Sequence, residues 1–315
     1  MTSAELSAIN FDTSQLRISF LSSKDDDRRP ISFAYTDIDR SINGDDDESN
    51  ASNVPRHPIP LMQDAFAESL EEVTHGGAGK PKLRELDALG RRDRLLEQQR
   101  SEPPWDALWR YRHGQTQHEA VKLISQISFG VYLLLNGMAN DNAQVVNILQ
   151  GHIDEVDEFL EVNLEDLAQA KVDLTTRLDH LRLPLGNRRT FESLLEDRTY
   201  RIEILEGNEA IEHVVGRMDE AAKMWNDDIE AGQKCSLAFT EWLDEQKHGA
   251  WAEERPELED IYLAMTGNAE GWRHAFDEMN TRTQGIMELT IKLTNVVTDI
   301  ERTAGEVSRR TAVGH

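Results

Sequence analysis

The stretch that decides the fold is VVNILQGHIDEVDEFLEVNLEDLAQAKVDLTTRLDHL, residues 145–181. Its apolar side chains recur in alternating steps of three and four residues, a spacing that places them on one face of an α-helix. A half-buried strand would instead alternate apolar and polar side chains one by one. The stretch therefore predicts one long amphipathic helix, whose stripe is Val145, Leu149, His152, Val156, Leu160, Leu164, Leu167, Lys171, Leu174, Leu178 and Leu181.

Two further stripes with the same spacing follow. The first break between them is predicted at residues 183–187, where Pro184 and Gly186 end a helix, and the second near Gly249, before Pro256. The second stripe is Ile211, Val215, Met218, Ala222, Trp225, Ile229, Gly232, Ser236, Phe239 and Leu243, and the third runs from Leu258 through Trp272, Phe276 and Leu293 to Val307.

The breaks divide this region into three helical segments of similar length, residues 117–181, 188–247 and 256–310. Similar lengths with short connections are typical of an up-down-up bundle, and near-heptad spacing favours shallow packing angles. We predict an all-α fold, an elongated antiparallel three-helix bundle with coiled-coil-like packing. NGMANDN, residues 136–142, forms helix poorly, so the first segment is either one helix or a short helix followed by a long one.

The chain before the bundle has a different composition. Residues 1–60 alternate short apolar pieces with acidic runs such as Asp45-Asp46-Asp47-Glu48, and too little apolar surface is present to offset the entropy lost on ordering. We predict a disordered acidic and polar arm over 1–60, short amphipathic helices with a linker over 61–104, and the helical bundle over 105–311.

The middle region holds two candidate helices, Leu61–Val73 and Leu83–Gln99, separated by the glycine-rich hinge HGGAGKP at 75–81. The second helix is basic and amphipathic, with arginines away from its leucines. We predict that it docks on the acidic body of the protein, with a partner protein or a membrane as the alternatives.

Aromatic residues are concentrated in WDALWRYR, residues 105–112. Trp105 and Trp109 are four residues apart, on one face of a helical turn. Such a cluster usually closes one end of a bundle, and the functional alternative is an anchor for a partner protein. The candidate partner-binding residues are Trp105, Trp109, Tyr111, Arg91, Arg92 and Arg94.

Charge restricts the partners. The chain carries 59 acidic and 34 basic residues, a net charge of −25, which repels nucleic-acid phosphates and anionic lipid headgroups. We therefore predict protein partners, no nucleic acid and no membrane contact. Its one cysteine, Cys235, cannot form an internal disulfide, and residues 1–10 lack the pattern of a secretory signal, so a cytoplasmic location is predicted.

The sequence contains no recognisable catalytic pattern. H-E-x-x-H, G-x-S-x-G and paired cysteines are absent, and acidic groups such as Asp227, Asp228 and Glu230 are predicted to be solvated helix faces. His152 on the first stripe is predicted to be partly buried, and Cys235, which has no activating base, to be structural. We predict no enzyme activity, no cofactor and no metal.

Several segments carry a resemblance to known sequences: WDALWRYR at 105–112, ISQISFGVYLLLNGMA at 124–139, VVNILQGHIDEVDEFLEVNLEDL at 145–167, LEDRTYRIEILEGNEAIEHV at 195–214 and AGEVSRRT at 304–311. In these segments the chain resembles a group of uncharacterised helical proteins of filamentous fungi. The resemblance implies a folded, cytosolic, non-enzymatic helical module and transfers no site residues.

These features together predict a non-enzymatic intracellular scaffold or adaptor that binds protein partners through long amphipathic helices, in cytoskeletal, trafficking or polarity complexes. The alternative is a membrane-binding and membrane-shaping dimer of the BAR type, because that architecture also uses three long helices. Such a dimer requires a basic face, and the long segments are acidic. Homodimer formation is compatible with both functions.

Overall fold

The computed structural model describes residues 54–75, 80–99 and 101–313. These residues are helical or irregular, and no β-strand occurs among them, which confirms the all-α prediction. Most of the predicted arm, residues 1–53, lies outside the described residues, and so does the centre of the predicted hinge, residues 76–79.

Nine α-helices make up most of the described chain. Three of them, α5, α7 and α9, are 45, 49 and 55 residues long and form the framework of the protein. In chain order the helices are α1 (Gln63–His75), α2 (Ala88–Glu97), α3 (Ala107–Arg110), α4 (Glu119–Leu135), α5 (Asn142–Gly186), α6 (Arg188–Leu194), α7 (Arg198–Gln246), α8 (Trp251–Glu254) and α9 (Glu259–Val313), with 3₁₀ turns at Pro60–Met62, Leu83–Glu85 and Pro256–Leu258.

The first predicted segment is a short helix followed by a long one. Gly137 adopts a positive φ of 63°, a conformation that ends α4 and that a residue with a Cβ rarely adopts. Asp141 then caps α5, because its side chain accepts hydrogen bonds from the backbone N–H groups of Ala143 and Gln144 at 2.9 and 3.2 Å. The second of the two alternatives for this segment is therefore the observed one.

The structure differs from the prediction at the first break, and it interrupts the second predicted segment near its start. Helix α5 continues through Pro184 to Gly186 instead of ending before it, since a proline so near the end removes only one hydrogen bond, and the carbonyl concerned lies on exposed His180. The segment itself is broken after Leu194, where Asp197 caps α7 by accepting a hydrogen bond from Thr199 N at 2.6 Å.

The chain divides into two compact units. Unit 1 comprises the described residues within 1–78 together with 121–155 and 234–272, and unit 2 comprises those within 79–120, 156–233 and 273–315. Helices α5, α7 and α9 each contribute residues to both units.

Unit 1 has an aromatic core that includes the last part of the predicted arm. The ring centroids of Phe66 and Phe129 are 4.4 Å apart, and His57 lies 5.3 Å from Phe66. The His57 ring also forms a 3.0 Å hydrogen bond with the carbonyl oxygen of Ser125 on α4, and Ile59 is buried. Residues 54–60 therefore include buried side chains, because a few apolar and aromatic residues find partners on helices distant in sequence.

In unit 2 helices α7 and α9 pack in antiparallel directions. Gly232 of α7 lies so close to Phe276 of α9 that an added Cβ would be 2.0 Å from the Phe276 ring. Earlier on α7, Ile204 packs against the buried cluster that contains Ile300 of α9. Residues later in α7 therefore contact residues earlier in α9, which is the pattern of an antiparallel pair.

Helix α5 runs in the same direction as α9 within unit 2. Arg282 of α9 donates a 2.9 Å hydrogen bond to the carbonyl oxygen of Leu164 on α5. Leu181, further along α5, packs against the cluster that contains Ile300, further along α9. The three long helices are therefore packed together in up, down and up directions in this unit.

The predicted register of the long helices is confirmed at its aromatic positions. Trp225, Phe239, Trp272 and Phe276 are all buried. The small residue on the second stripe, Gly232, has the expected role of admitting a large neighbouring side chain.

Candidate partner-binding site

All six candidate partner-binding residues lie in the segment 80–118, which we call the strap. The strap belongs to unit 2 and contains α2 and α3. Asp87 starts α2 by accepting a 2.8 Å hydrogen bond from Gly90 N, and the chain leaves the helix at Gln98, which is extended. The strap crosses α5 and α7, and the contacts that it makes there define the site.

Arg91 attaches α2 to α5. Its side chain is only 2% exposed and donates hydrogen bonds to Asp166 at 2.8 Å and to Glu165 at 2.9 Å. It also donates to the carbonyl oxygen of Leu86 at 2.7 Å. Charge-assisted hydrogen bonds of this kind are stronger than neutral ones and fix the orientation of the guanidinium. Arg91 therefore stabilises the docked strap, as predicted, and is not itself accessible to a partner.

Two further arginines of the strap face the same side of α5. Arg84 pairs with Glu161 at 2.6 Å, and Arg92 pairs with Asp173. These contacts are more exposed than that of Arg91, since the Arg84 side chain is 45% accessible. Exposed pairs contribute little individually, about 0–1 kcal/mol each. The helix α2 is thus held on α5 largely by charge.

Asp166 has an unusual protonation equilibrium. Burial raises the pKa of Asp166 to about 7, because the charged carboxylate is poorly solvated there, and the hydrogen-bonded Arg91 offsets this only in part. The nearby Asp106 and Glu165 raise the pKa further. Near neutral pH the carboxyl group exchanges its proton, so the strength of the Arg91 contact depends on pH.

The C-terminal end of α2 is held by a clasp on α7, formed by Arg217 and His213. Arg217 is fully buried and donates to the carbonyl oxygens of Leu95 at 3.1 Å, Gln99 at 3.1 Å and Glu102 at 2.8 Å. One turn earlier, the His213 ring bonds the Leu96 carbonyl oxygen at 2.8 Å. The carbonyls of Leu95 and Leu96 are among those that a helix leaves unsatisfied at its end, whereas Gln99 and Glu102 follow the helix, and a cation at this end also favours the helix dipole.

The last part of the strap is inserted into the core of unit 2. Trp109 stacks on Phe159 of α5 with ring centroids 4.2 Å apart. Arg110 donates hydrogen bonds to Asp228 at 2.7 Å and to Asp106 at 2.6 Å, and the His118 ring bonds Asp228 at 2.9 Å. This end of the strap therefore packs against the middle of α5 and α7, and Trp109 and Arg110 are part of the core there.

Asp228 corrects a prediction. It is completely buried, with 0% of its side chain exposed, and not part of a solvated face. Burial alone would raise the pKa of Asp228, but Arg110 and His118 lower it below its ordinary value and keep the carboxylate charged. The prediction was wrong because the burial of Asp228 depends on its pairing with Arg110, which lies 118 residues earlier in the chain.

The remaining candidate residues lie nearer the surface. Tyr111 is 40% exposed beside the His118 ring, and Arg94 is 46% exposed with its guanidinium carbon 5.1 Å from the centre of the half-buried Trp105 ring. Arg92 is partly exposed. Of the six residues, Arg91 and Trp109 are buried, and the other four stay accessible for contact with a partner. Sequence reasoning did not find Asp166, Arg217, Asp228, His118 and Arg110, whose roles depend on distant partners.

The described residues include histidine, aspartate and glutamate side chains and the one cysteine, Cys235. Among them, no group of three or more histidine, cysteine, aspartate or glutamate side chains is placed to hold a metal ion. Cys235 is buried, and burial raises the pKa of its thiol to about 12, so the sulfur is protonated at neutral pH. In the described part of the chain, no helix is both long enough and apolar enough to span a bilayer.

No family model, curated protein or solved structure matches the chain. The resemblance to helical proteins of filamentous fungi stays a prediction.

Proposed function

We propose that the protein is a non-enzymatic intracellular scaffold or adaptor that binds protein partners through its long helices, in cytoskeletal, trafficking or polarity complexes. The proposal includes a cytoplasmic location. It also includes the finer architecture predicted from the sequence, an elongated antiparallel bundle with coiled-coil-like packing. The up, down and up directions of α5, α7 and α9 in unit 2 support that architecture.

One observation carries the proposal: the long helices keep large apolar side chains on their outer surfaces after the internal stripes are buried. In unit 2 these residues are between 41% and 74% exposed. Single exposed apolar residues are common, but neighbours on one helix face provide the anchors used in helix-mediated recognition. The exposed residues are Val172 and Leu183 on α5, Ile202 and Leu205 on α7, and Met287 and Ile291 on α9.

Met287 and Ile291 are suited to a test because they lie one helical turn apart and are 44% and 60% exposed. The double variant Met287→Asp/Ile291→Asp places two charges on this face without disturbing the core. The matched control Asn295→Asp/Thr298→Asp adds the same charge at exposed polar positions of the same helix. Circular dichroism should show the same helix content in all three proteins.

The measurement is quantitative affinity capture from a cell extract, with the full chain as bait. We expect a defined set of proteins to be retained by the wild type and the control and lost from the Met287/Ile291 variant. Identical sets for all three proteins would contradict the proposed surface. Retention of no protein, together with tight binding to anionic liposomes, would replace the scaffold by the membrane-shaping alternative. Light scattering on the same samples reports whether a second copy of the chain is the partner.

A further inference from the structure

We propose that the acidic face of α5 and the clasp on α7 form a docking groove for an arginine-bearing helix of a partner protein. In this structure helix α2 occupies the groove as an intramolecular substitute. The inference rests on the proposed function, since it names the chemistry of one partner and the site that receives it.

Charge complementarity between α2 and α5 is the first observation. Three arginines of the strap, Arg84, Arg91 and Arg92, meet carboxylates that are spaced along one helix. The carboxylates are Glu161, Glu165, Asp166 and Asp173. When α2 leaves, these acidic side chains lose the arginines that pair with them, so the groove becomes more negative and favours another basic helix. A neutral or acidic helix would leave these carboxylates without compensation.

The clasp is the second and independent observation. Arg217 is fully buried, yet its acceptors are backbone carbonyl oxygens and the side-chain oxygen of Gln98, and no carboxylate is among them. A site that binds carbonyl groups recognises the end of a helix whatever its sequence. Together with His213, it determines where along the groove the helix must stop. The groove therefore selects a helix with an arginine pair shortly before its C-terminal end.

The small apolar contact of α2 is the third observation. Arg91 is the only buried residue of this helix, and Leu89 is 52% exposed. Helix α2 therefore depends on ion pairs and on the clasp, whereas the end of the strap is fixed by Trp109 and Arg110 in the core. The exposed pairs contribute about 0–1 kcal/mol each. Removal of α2 would also break the contacts of the buried Arg91 and Arg217, so α2 exchanges only for a helix that restores them, while residues 105–118 stay in place.

The chain itself supplies the probe for a binding experiment. A fluorescein-labelled synthetic peptide of residues 82–99 carries the three arginines that pair with the carboxylates of α5, and its binding to the full-length protein is measured by fluorescence anisotropy. In the acceptor variant Arg84→Ala/Arg91→Ala/Arg92→Ala, the internal α2 loses its contacts to the carboxylates. We expect this variant to bind the peptide at least about tenfold more tightly than the wild type does.

Two matched controls test the chemistry. A peptide in which the arginines corresponding to Arg84, Arg91 and Arg92 are alanine should bind at least about tenfold more weakly. Adding Glu165→Lys/Asp173→Lys to the acceptor variant should abolish binding of the arginine peptide. Equal affinity of the two acceptors for the peptide, or binding that survives either control, would overturn the proposal.

A measurement on the wild-type protein covers the case in which the acceptor variant does not fold. Excess unlabelled peptide should accelerate amide hydrogen exchange in residues 88–97, because the displaced α2 loses its protection, and should leave α9 unchanged. Unchanged exchange in both regions would overturn the groove. If partner capture depends on Met287 and Ile291 but the peptide does not bind, the scaffold function is supported and the proposed groove is wrong. If the peptide binds but no protein is captured from the extract, the groove is supported and the proposed scaffold function is wrong.

Discussion

Arg110 and Asp228 form a buried ion pair: Nε of Arg110 lies 2.7 Å from Oδ1 and 2.9 Å from Oδ2 of Asp228, and Nη2 lies 2.7 Å from Oδ2. Both side chains are almost completely removed from water. Arg110 also donates hydrogen bonds to Asp106 at 2.6 Å and to Asn163 at 3.1 Å, and the His118 ring bonds Asp228 at 2.9 Å. Burying two charges costs free energy that only such complete pairing offsets. The pair therefore attaches the strap to α7 more specifically than apolar contacts would.

The first prediction concerns removal of one member of this pair. Asp228→Ala leaves the buried Arg110 with only one of its two carboxylate partners, Asp106, and breaking such a buried pair typically costs about 3–5 kcal/mol of unfolding free energy. The matched control is Asp227→Ala, which removes an exposed carboxylate from the preceding position of α7 and should change stability by less than about 0.5 kcal/mol. Urea denaturation followed by circular dichroism measures both. Equal losses in the two variants would contradict this account of Asp228.

Asp228 also shows where sequence reasoning stops. Periodicity is a local property, so it correctly placed Trp225 and Phe276 in the core. The position of Asp228 beside the buried Ile229 gave no sign that Arg110 would pair with it, because that contact joins residues far apart in the sequence. The candidate residues Arg91 and Trp109 were found from composition, but their burial depends on α5, whose docking geometry the sequence does not reveal.

Lys171 shows a second limit. The predicted stripe passes from Leu167 to Lys171 to Leu174, but in the structure Ala170 is buried and Lys171 is exposed. Both paths alternate three-residue and four-residue steps, and they differ only in which step comes first. Apolarity decides in favour of Ala170. The break after Leu194 was likewise missed, although Asp197 is a residue type that commonly caps helices.

The second prediction concerns two glycines in long helices. In Gly232→Ala the new methyl group would lie 2.0 Å from the Phe276 ring, so the helices must move apart or the ring must leave its rotamer. We expect a loss of about 1–3 kcal/mol. In Gly285→Ala no atom lies within 4 Å of the added group, and the helix gains about 1 kcal/mol because alanine favours helix. Thermal unfolding should show a lower Tm for the first variant and a higher one for the second; shifts in the same direction would contradict the packing.

The third prediction is a pH dependence at Asp166. Its pKa is raised to about 7 in the folded protein, above the ordinary value of 3.8. A carboxyl with a raised pKa favours folding most when protonated, so its contribution is fully present below the ordinary value and is lost as the pH rises through about 7. Asp166→Asn cannot ionise, and its stability relative to the wild type should therefore increase between about pH 5 and about pH 8.

Unfolding free energies of both proteins at several pH values measure this difference, and the subtraction removes the contribution of other acidic groups. The control is Glu196→Gln, which replaces an exposed carboxyl group. The difference in unfolding free energy between this variant and the wild type should not increase in the same way. A constant difference between wild type and Asp166→Asn over this range would show that Arg91 fully compensates the buried charge.

The last prediction concerns salt and the strap. Raising the salt concentration from about 0.05 to about 0.5 M shortens the Debye length from about 14 to about 4 Å, which weakens the exposed pairs of Arg84 and Arg92 with α5. We expect amide hydrogen exchange in α2, residues 88–97, to accelerate with salt. Residues 286–297 of α9, where the buried side chains are apolar or small, should show little change. In Arg217→Met, which lacks the clasp, the acceleration should already be present at low salt. Exchange in α2 that is insensitive to both salt and Arg217 would mean that apolar contacts, not charge, hold the helix.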